Sequence, residues 1–324
     1  MKNLKNPIHI WLAIGLLLVT ASIVVGQMNE LKGTITLSGA WAIYPTAVAW
    51  AEEFHKQHPK VKIDVSAGGA GKGAADAIVG LVDIGMVSRD PDPAEIKKGI
   101  TPIYVLHDAV FPVVSEKNPV LADLLKKGVK KQAWIDIYVK GTTTTWDEVA
   151  KRKVDKKIHV YTRSDSCGAA ASWAKYTGNK KQEDLRGIGV YGDPGLLEAT
   201  KKDPMGIGYN NFSFVFTQDG TVVKGIKIVP IDSNENGIAD PDEIYENRNS
   251  AIKAIRAGRY PATRKNYFFV KGNTTELVKE FIKFALSDEG AKIVDEVGTS
   301  LSLPKPEREK ILKNLGYVRY DKTI

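Results

Sequence analysis

Downstream of Met28 the hydrophobic pattern switches repeatedly between a period of two and a period near 3.6. Thr34–Leu37 reads as a strand. The helix expected over Pro45–Gln57 places Ala47, Trp50, Ala51 and Phe54 at i, i+3, i+4 and i+7. Val61, Ile63 and Val65 alternate as a strand does, a glycine-rich turn follows, and Ala74–Leu81 reads as an apolar helix before a third strand at Asp83–Val87. Strand–helix–strand–helix–strand order implies an α/β fold whose ligand loops sit at strand ends.

The mixed pattern continues. Ala109–Val114 predicts another strand, with helices near 119–128 and 146–152, a strand at Ile158–Thr162 and a helix from Gly168. Further strands are expected at Gly206–Asn210, Ile226–Ile231 and Tyr267–Val270. Thr275–Val297 predicts a long amphipathic helix or helix pair, with Leu277, Val278, Phe281, Ile282, Phe284 and Ala285 on its apolar face. No repeat of 20–50 residues is present.

The 19 residues from Ile8 to Gly26 are apolar and follow Lys2 and Lys5, the layout of a secretory signal. At about 1.5 Å per residue the same run is long enough to anchor in a bilayer. Residues 1–27 are therefore expected to be a signal peptide or membrane anchor, and the remainder to lie outside the cytoplasm. A chain of 324 residues that is 43% hydrophobic can bury two domain cores. The net charge of +8 is spread over short lysine pairs with acidic residues between them, without interleaved aromatics, so nucleic-acid binding is not expected. Cys167 is the single cysteine, which excludes an intramolecular disulfide and a multi-cysteine metal site.

Three segments share one plan of strand, small-residue turn and helix start. They are Ser38-Gly39-Ala40-Trp41-Ala42-Ile43-Tyr44-Pro45, Gly68-Gly69-Ala70-Gly71-Lys72-Gly73 and Arg163-Ser164-Asp165-Ser166-Cys167-Gly168-Ala169. Small residues let main chain approach a ligand. A first helical turn offers unpaired N–H groups and the positive end of the dipole, which suits phosphate or sulfate. Arg163 adds a planar fork matched to oxyanions, and Asp165 is placed to orient it. Arg89, in Val87-Ser88-Arg89-Asp90, is a second candidate at a strand end. Asn210 and Asn211 are read as turn residues or as cleft lining.

These stretches, together with DIGMVSRD, DPMGIGYNNFSFVF and the segment from Tyr267 to Gly298, resemble the phosphate-binding proteins of ABC transporters. That family has the two-lobed, α/β, type II periplasmic-binding-protein fold. The resemblance covers nearly the whole chain after the leader. It implies an anion held between lobes that close on it, handed to a membrane permease and ATPase by a monomeric binding protein. Lobe I would contain 33–110 plus 260–324, and lobe II 111–259. It also implies ligand contacts at Ile43 and Tyr44, Ala70 and Gly71, Ser88 and Arg89, and Arg163, Cys167, Gly168 and Ala169. Where the family's loops are rich in Ser and Thr, this chain has Ala40, Trp41, Ala42, Ile43, Ala70, Cys167 and Ala169. Main-chain N–H groups are then expected to provide most donors. Asp90, Asp108 and Asp165 are the carboxylates available to accept a proton from phosphate. Sulfate, molybdate or tungstate remain alternative ligands. An extracellular enzyme is the alternative from another class, either with Cys167 as a nucleophile at a helix N-terminus or as a phosphoester hydrolase on the same scaffold.

A separate motif lies in lobe II. Residues 232–243 fit the twelve-residue EF-hand loop, with Asp232, Asn234, Asn236 and Asp240 at positions 1, 3, 5 and 9, Gly237 at 6 and Glu243 at 12. The Ile238 carbonyl would serve position 7. A structural Ca²⁺ bracing a long loop is expected there.

Overall fold

The computed structural model describes residues 30–272, 274–317 and 320. The leader expected over 1–27 lies outside them. Among the described residues no helix is long and apolar enough to cross a membrane.

The strands of the main sheet are β1 Gly33–Gly39, β2 Val61–Ala67, β3 Ile84–Val87, β4 Ile100–Ser115, β5 His159–Arg163, β6 Ile188–Val190, β7 Gly206–Asn211, β8 Ile226–Ile228 and β9 Thr263–Lys271. Their order is β2-β1-β3-β9-β4-β7-β5-β6, with β8 also on β4. The helices that matter here are α1 Tyr44–Gln57, α2 Ala70–Val79, α3 Gly168–Tyr176, α4 Gly192–Lys202, α5 Arg248–Arg256, α6 Glu276–Ala285, α7 Asp288–Val297 and α8 Lys305–Asn314.

Two apolar cores form, one per lobe. The first draws on residues between Ile35 and Leu106 and between Phe268 and Leu312. The helical spacing on α1 accounts for its share: Ala47, Trp50, Ala51 and Phe54 are all buried, and Phe54 meets Phe281 and Phe284 edge-on at 5.4 Å. Pro45 sits in the first turn of α1, where its missing N–H is no loss. The second core runs from Ala109 to Ala262, joined by Leu301, around an aromatic group of Trp134, Tyr138, Trp173 and Tyr209.

β4 joins the lobes. The expected strand over Ala109–Val114 is the second half of a 16-residue strand. Its first part pairs with β9, and Val110–Val114 pair with β7. β9 carries the chain back. Among the elements named above, β6, α4, α5 and α8 were not expected from the pattern. The helix anticipated over Thr275–Val297 is a pair, broken where Ser287 caps α7 through the Gly290 N–H at 3.0 Å.

Candidate functional site

The parallel strands β1, β2 and β3 end together, because Gly39 lies beside Ala67 and Met86 in the register. This brings two of the glycine loops and Ser88 to one edge of lobe I. β5 ends at Arg163 in lobe II, and α3 begins five residues later. The edges meet. Gly71 N–H donates to the Ser166 carbonyl at 3.0 Å. A Cβ on Gly71 would lie 2.3 Å from Ser166 Oγ, and one on Gly168 only 2.0 Å from the Ser88 carbonyl oxygen. Ala70, Gly71, Ser88 and Gly168 are therefore neighbours because two of them lack side chains. The 38–45 loop reaches across through Trp41, which packs near Gly192 at the start of α4.

Arg163 lies at the centre, with its side chain fully buried. Its Nε and Nη2 donate to the two oxygens of Asp165 at 2.8 and 2.6 Å, the orientation expected of Arg-x-Asp. Its Nη1 donates to Asp193 at 2.6 Å. Those bonds take three of a guanidinium's five N–H groups and leave two for a ligand. Burial opposes the charge on Arg163, but Asp193 and Asp165 more than compensate and raise its pKa. Burial likewise pushes the Asp193 carboxyl up, against the pull of Arg163. Asn211 Nδ2 donates to Asp193 at 2.7 Å, and the Asn210 amide, with its nitrogen toward Asp193, donates at 3.0 Å. Both asparagines lie within β7 and are buried; neither is a turn residue. Asn211 also accepts from Arg264, which pairs with Asp108 at 3.1 and 2.5 Å. A buried chain of alternating charge thus runs from Asp165 to Asp108 on the connecting strands.

Other expected site residues are occupied differently. Arg89 does not join Arg163: it makes a two-pronged pair with Glu95 at 3.0 and 2.6 Å. Glu95 belongs to the capping box of the short helix Pro93–Lys97, so a local carboxylate captures the arginine. Burial would raise the Glu95 pKa, yet Arg89 and the Asp92 N–H hold it down. Ile43 is buried in the first core, and the Ile43 and Tyr44 N–H groups both donate to the Ala40 carbonyl, at 3.1 and 3.2 Å. Those two donors close the turn. Cys167 is buried, and burial pushes its thiol up to about 12. It stays protonated at neutral pH, where the thiolate is the nucleophile. Its sulfur accepts from Ala170 N–H at 3.4 Å as the N-cap of α3. Gln182 holds the same loop from both sides, accepting from Cys167 N–H at 2.9 Å and donating to the Asp165 carbonyl at 2.6 Å.

A cavity of about 1150 Å³ opens beside this loop, lined from both lobes by Arg89, Cys167, Lys175 and Arg264 among others. Lysine and arginine outnumber aspartate and glutamate around it. Such a cavity favours the approach of anions.

A family model described as a PBP superfamily domain matches residues 27–289. The phosphate-binding protein PstS of Bacillus subtilis (strain 168) is 29% identical over 266 residues, spanning 82% of this chain and 79% of that protein. The PstS of Staphylococcus haemolyticus is 25% identical over 334 residues, spanning 96% and 98%. A Clostridium perfringens protein solved with bound phosphate superposes with a TM-score of 0.69 at 24% identity, covering 84% of this chain and 100% of that one. An ABC-type phosphate transport receptor from Vibrio cholerae gives 0.61 at 21% identity, covering 83% and 100%. At these identities the two structures speak for the fold.

Proposed function

The chain belongs to the PBP superfamily, and from that premise we propose that it is the extracytoplasmic solute-binding component of an ABC importer, with phosphate as its cargo. One observation carries the reading: the loops at Ala70–Gly71, Ser88 and Ser166–Gly168 converge from two lobes beside a buried arginine. Two helix N-termini, α2 and α3, belong to those loops. Their first-turn N–H groups, apart from those of Gly71 and Ala170 that already donate to Ser166 and Cys167, and their dipoles supply what an oxyanion needs without hydroxyl side chains. Binding is the task such a site performs; the protonated thiol of Cys167 supplies no nucleophile. The curated relatives are named as phosphate-binding proteins, which supports the choice of cargo.

Asp165 and Asp193 bear on which oxyanion fits. Each keeps one oxygen that accepts a single hydrogen bond, Oδ2 in both cases, from Arg163. A carboxylate oxygen accepts about two. An anion that retains a proton can donate to such an oxygen, while sulfate can only repel it. Calorimetric titration with phosphate, sulfate and molybdate at two pH values tests this. Phosphate is expected to bind and sulfate to bind far more weakly. Equal affinity for sulfate would transfer the function to fully ionised oxyanions.

A further inference from the structure

The loop at residues 232–243 touches the cavity between the lobes through Ser233 and Glu235, and one of its atoms, deeper in the loop, lacks a partner. Asp232 is 1% exposed. Its Oδ2 accepts from the Gly237 N–H at 2.9 Å, so the carboxylate faces into the loop. Its Oδ1 is buried and makes no hydrogen bond. Leaving a buried acceptor unmet costs about 1–3 kcal/mol, and more for a charge. At the far end of the loop Glu243 is also buried, and accepts from Ser233 N–H at 2.7 Å and Asp240 N–H at 3.2 Å. These bonds tie the last residue of the loop back to its second and ninth. Gly237 has φ of 84° with nothing within 4 Å of an added Cβ. The left-handed backbone of the turn, not crowding, is what calls for glycine there.

We propose that this loop binds one calcium ion. The ligands are the Asp232 carboxylate through Oδ1, the side-chain oxygens of Asn234, Asn236, Asp240 and Glu243, and the carbonyl of Ile238. Among the described residues no three His, Cys, Asp or Glu side chains are gathered to hold a metal by themselves. The loop's set differs in kind, mixing carboxylates with amide oxygens and a peptide carbonyl. Asp240 now accepts from the Asn234 and Asn236 amides at 2.7 and 2.9 Å, which keeps it within reach of the same centre. An all-oxygen set of this size suits calcium, whereas magnesium retains its waters and zinc prefers nitrogen and sulfur. Lys130, which donates to the Glu235 carbonyl at 2.5 Å, adds a competing positive charge and weakens the site. The loop is held to the neighbouring turn by Ala239 N–H on the Lys126 carbonyl at 3.0 Å and by the pairing of Ile231–Asp232 with Val129–Lys130. An ion would brace that attachment, at the edge where Ser233 and Glu235 line the cavity between the lobes.

The test is a calcium titration of the purified full chain after treatment with EGTA, followed by calorimetry and by thermal melting. One site with a Kd of about 10⁻⁵ to 10⁻³ M is expected. Saturation should raise the melting temperature by about 3 °C or more. Asp232→Asn, which keeps the shape and removes the charge, should abolish the calcium heat. Glu243→Gln should weaken binding at least about tenfold. Circular dichroism checks that each variant is folded, and the two substitutions probe opposite ends of the loop in case one is not. Absence of heat and of any melting shift up to about 10 mM calcium would overturn the proposal. So would unaltered calcium binding by both variants, or an equal response to magnesium.

Discussion

Lobe I meets the cleft with main chain, and lobe II meets it with charge. On the first side stand Ala70, Gly71 and the carbonyl of Ser88, with Lys72 turned back onto Asp76 and Arg89 held by Glu95. On the second side Arg163 is fixed by Asp165 and Asp193, and through Asn211 the chain continues to Arg264 and Asp108 on the strands that join the lobes. The difference has a physical logic. A helix N-terminus cannot be neutralised or swung away, so its N–H groups need no supporting network. A buried guanidinium needs carboxylates to offset the cost of desolvation. The two sides should therefore fail differently when altered.

The largest effect is expected on the charged side. Arg163→Ala removes the remaining N–H donors and strands Asp193 in the interior. Losing one partner of such a pair costs about 3–5 kcal/mol of stability, and oxyanion affinity should fall about 100-fold or more. Adding Asp193→Asn should recover much of the melting temperature and none of the binding. Recovery of both would mean that Arg163 acts by packing alone.

Steric changes on the contact faces come next. Gly168→Ala sets a methyl against the Ser88 carbonyl, which cannot rotate away. Gly71→Ala meets Ser166 Oγ, which can, and also Ser166 Cβ at 2.5 Å, which cannot. Closure should suffer more in the first, with affinity down about tenfold or more, roughly 1.4 kcal/mol, and Gly71→Ala affected less. Equal losses, measured by calorimetry, would show that the lobes do not close in this register. The smallest effect belongs to Lys175→Ala. Lys175 and Asp90 form an exposed pair between the lobes at 2.6 Å. Such pairs contribute about 0–1 kcal/mol. Affinity should change by a few-fold at most, and the change should vanish at about 0.5 M salt.

What could be read from the chain follows the same division. The glycine loops and Arg163-Ser164-Asp165 are local patterns: small residues before a helical period, and an acid two residues from a base. Asp193 is not local. It reaches Arg163 because β5 and β6 pair in parallel with Arg163 beside Val190, which sets the turn after β6 next to the guanidinium. The short β6 and the Gly192-Asp193-Pro194 turn carry no periodic signal. Arg264 and Asp108 are likewise joined by register, facing each other across β4 and β9. Arg89, expected as a ligand contact, lines the cavity but is held by a carboxylate. Its partner, Glu95, is local, in the Asp92-Pro93-Ala94-Glu95 capping pattern that opens a helix of only five residues. The lobes follow from hydrophobic periodicity, whereas the site's electrostatic partners follow from strand order, which periodicity does not encode.

The central claim is that the two sides together capture an oxyanion. Calorimetric titration of the purified chain with inorganic phosphate tests it most directly. The account predicts saturable binding of one phosphate per chain, lost in Arg163→Ala. Absence of heat with phosphate, sulfate and molybdate alike, at two temperatures, would contradict it.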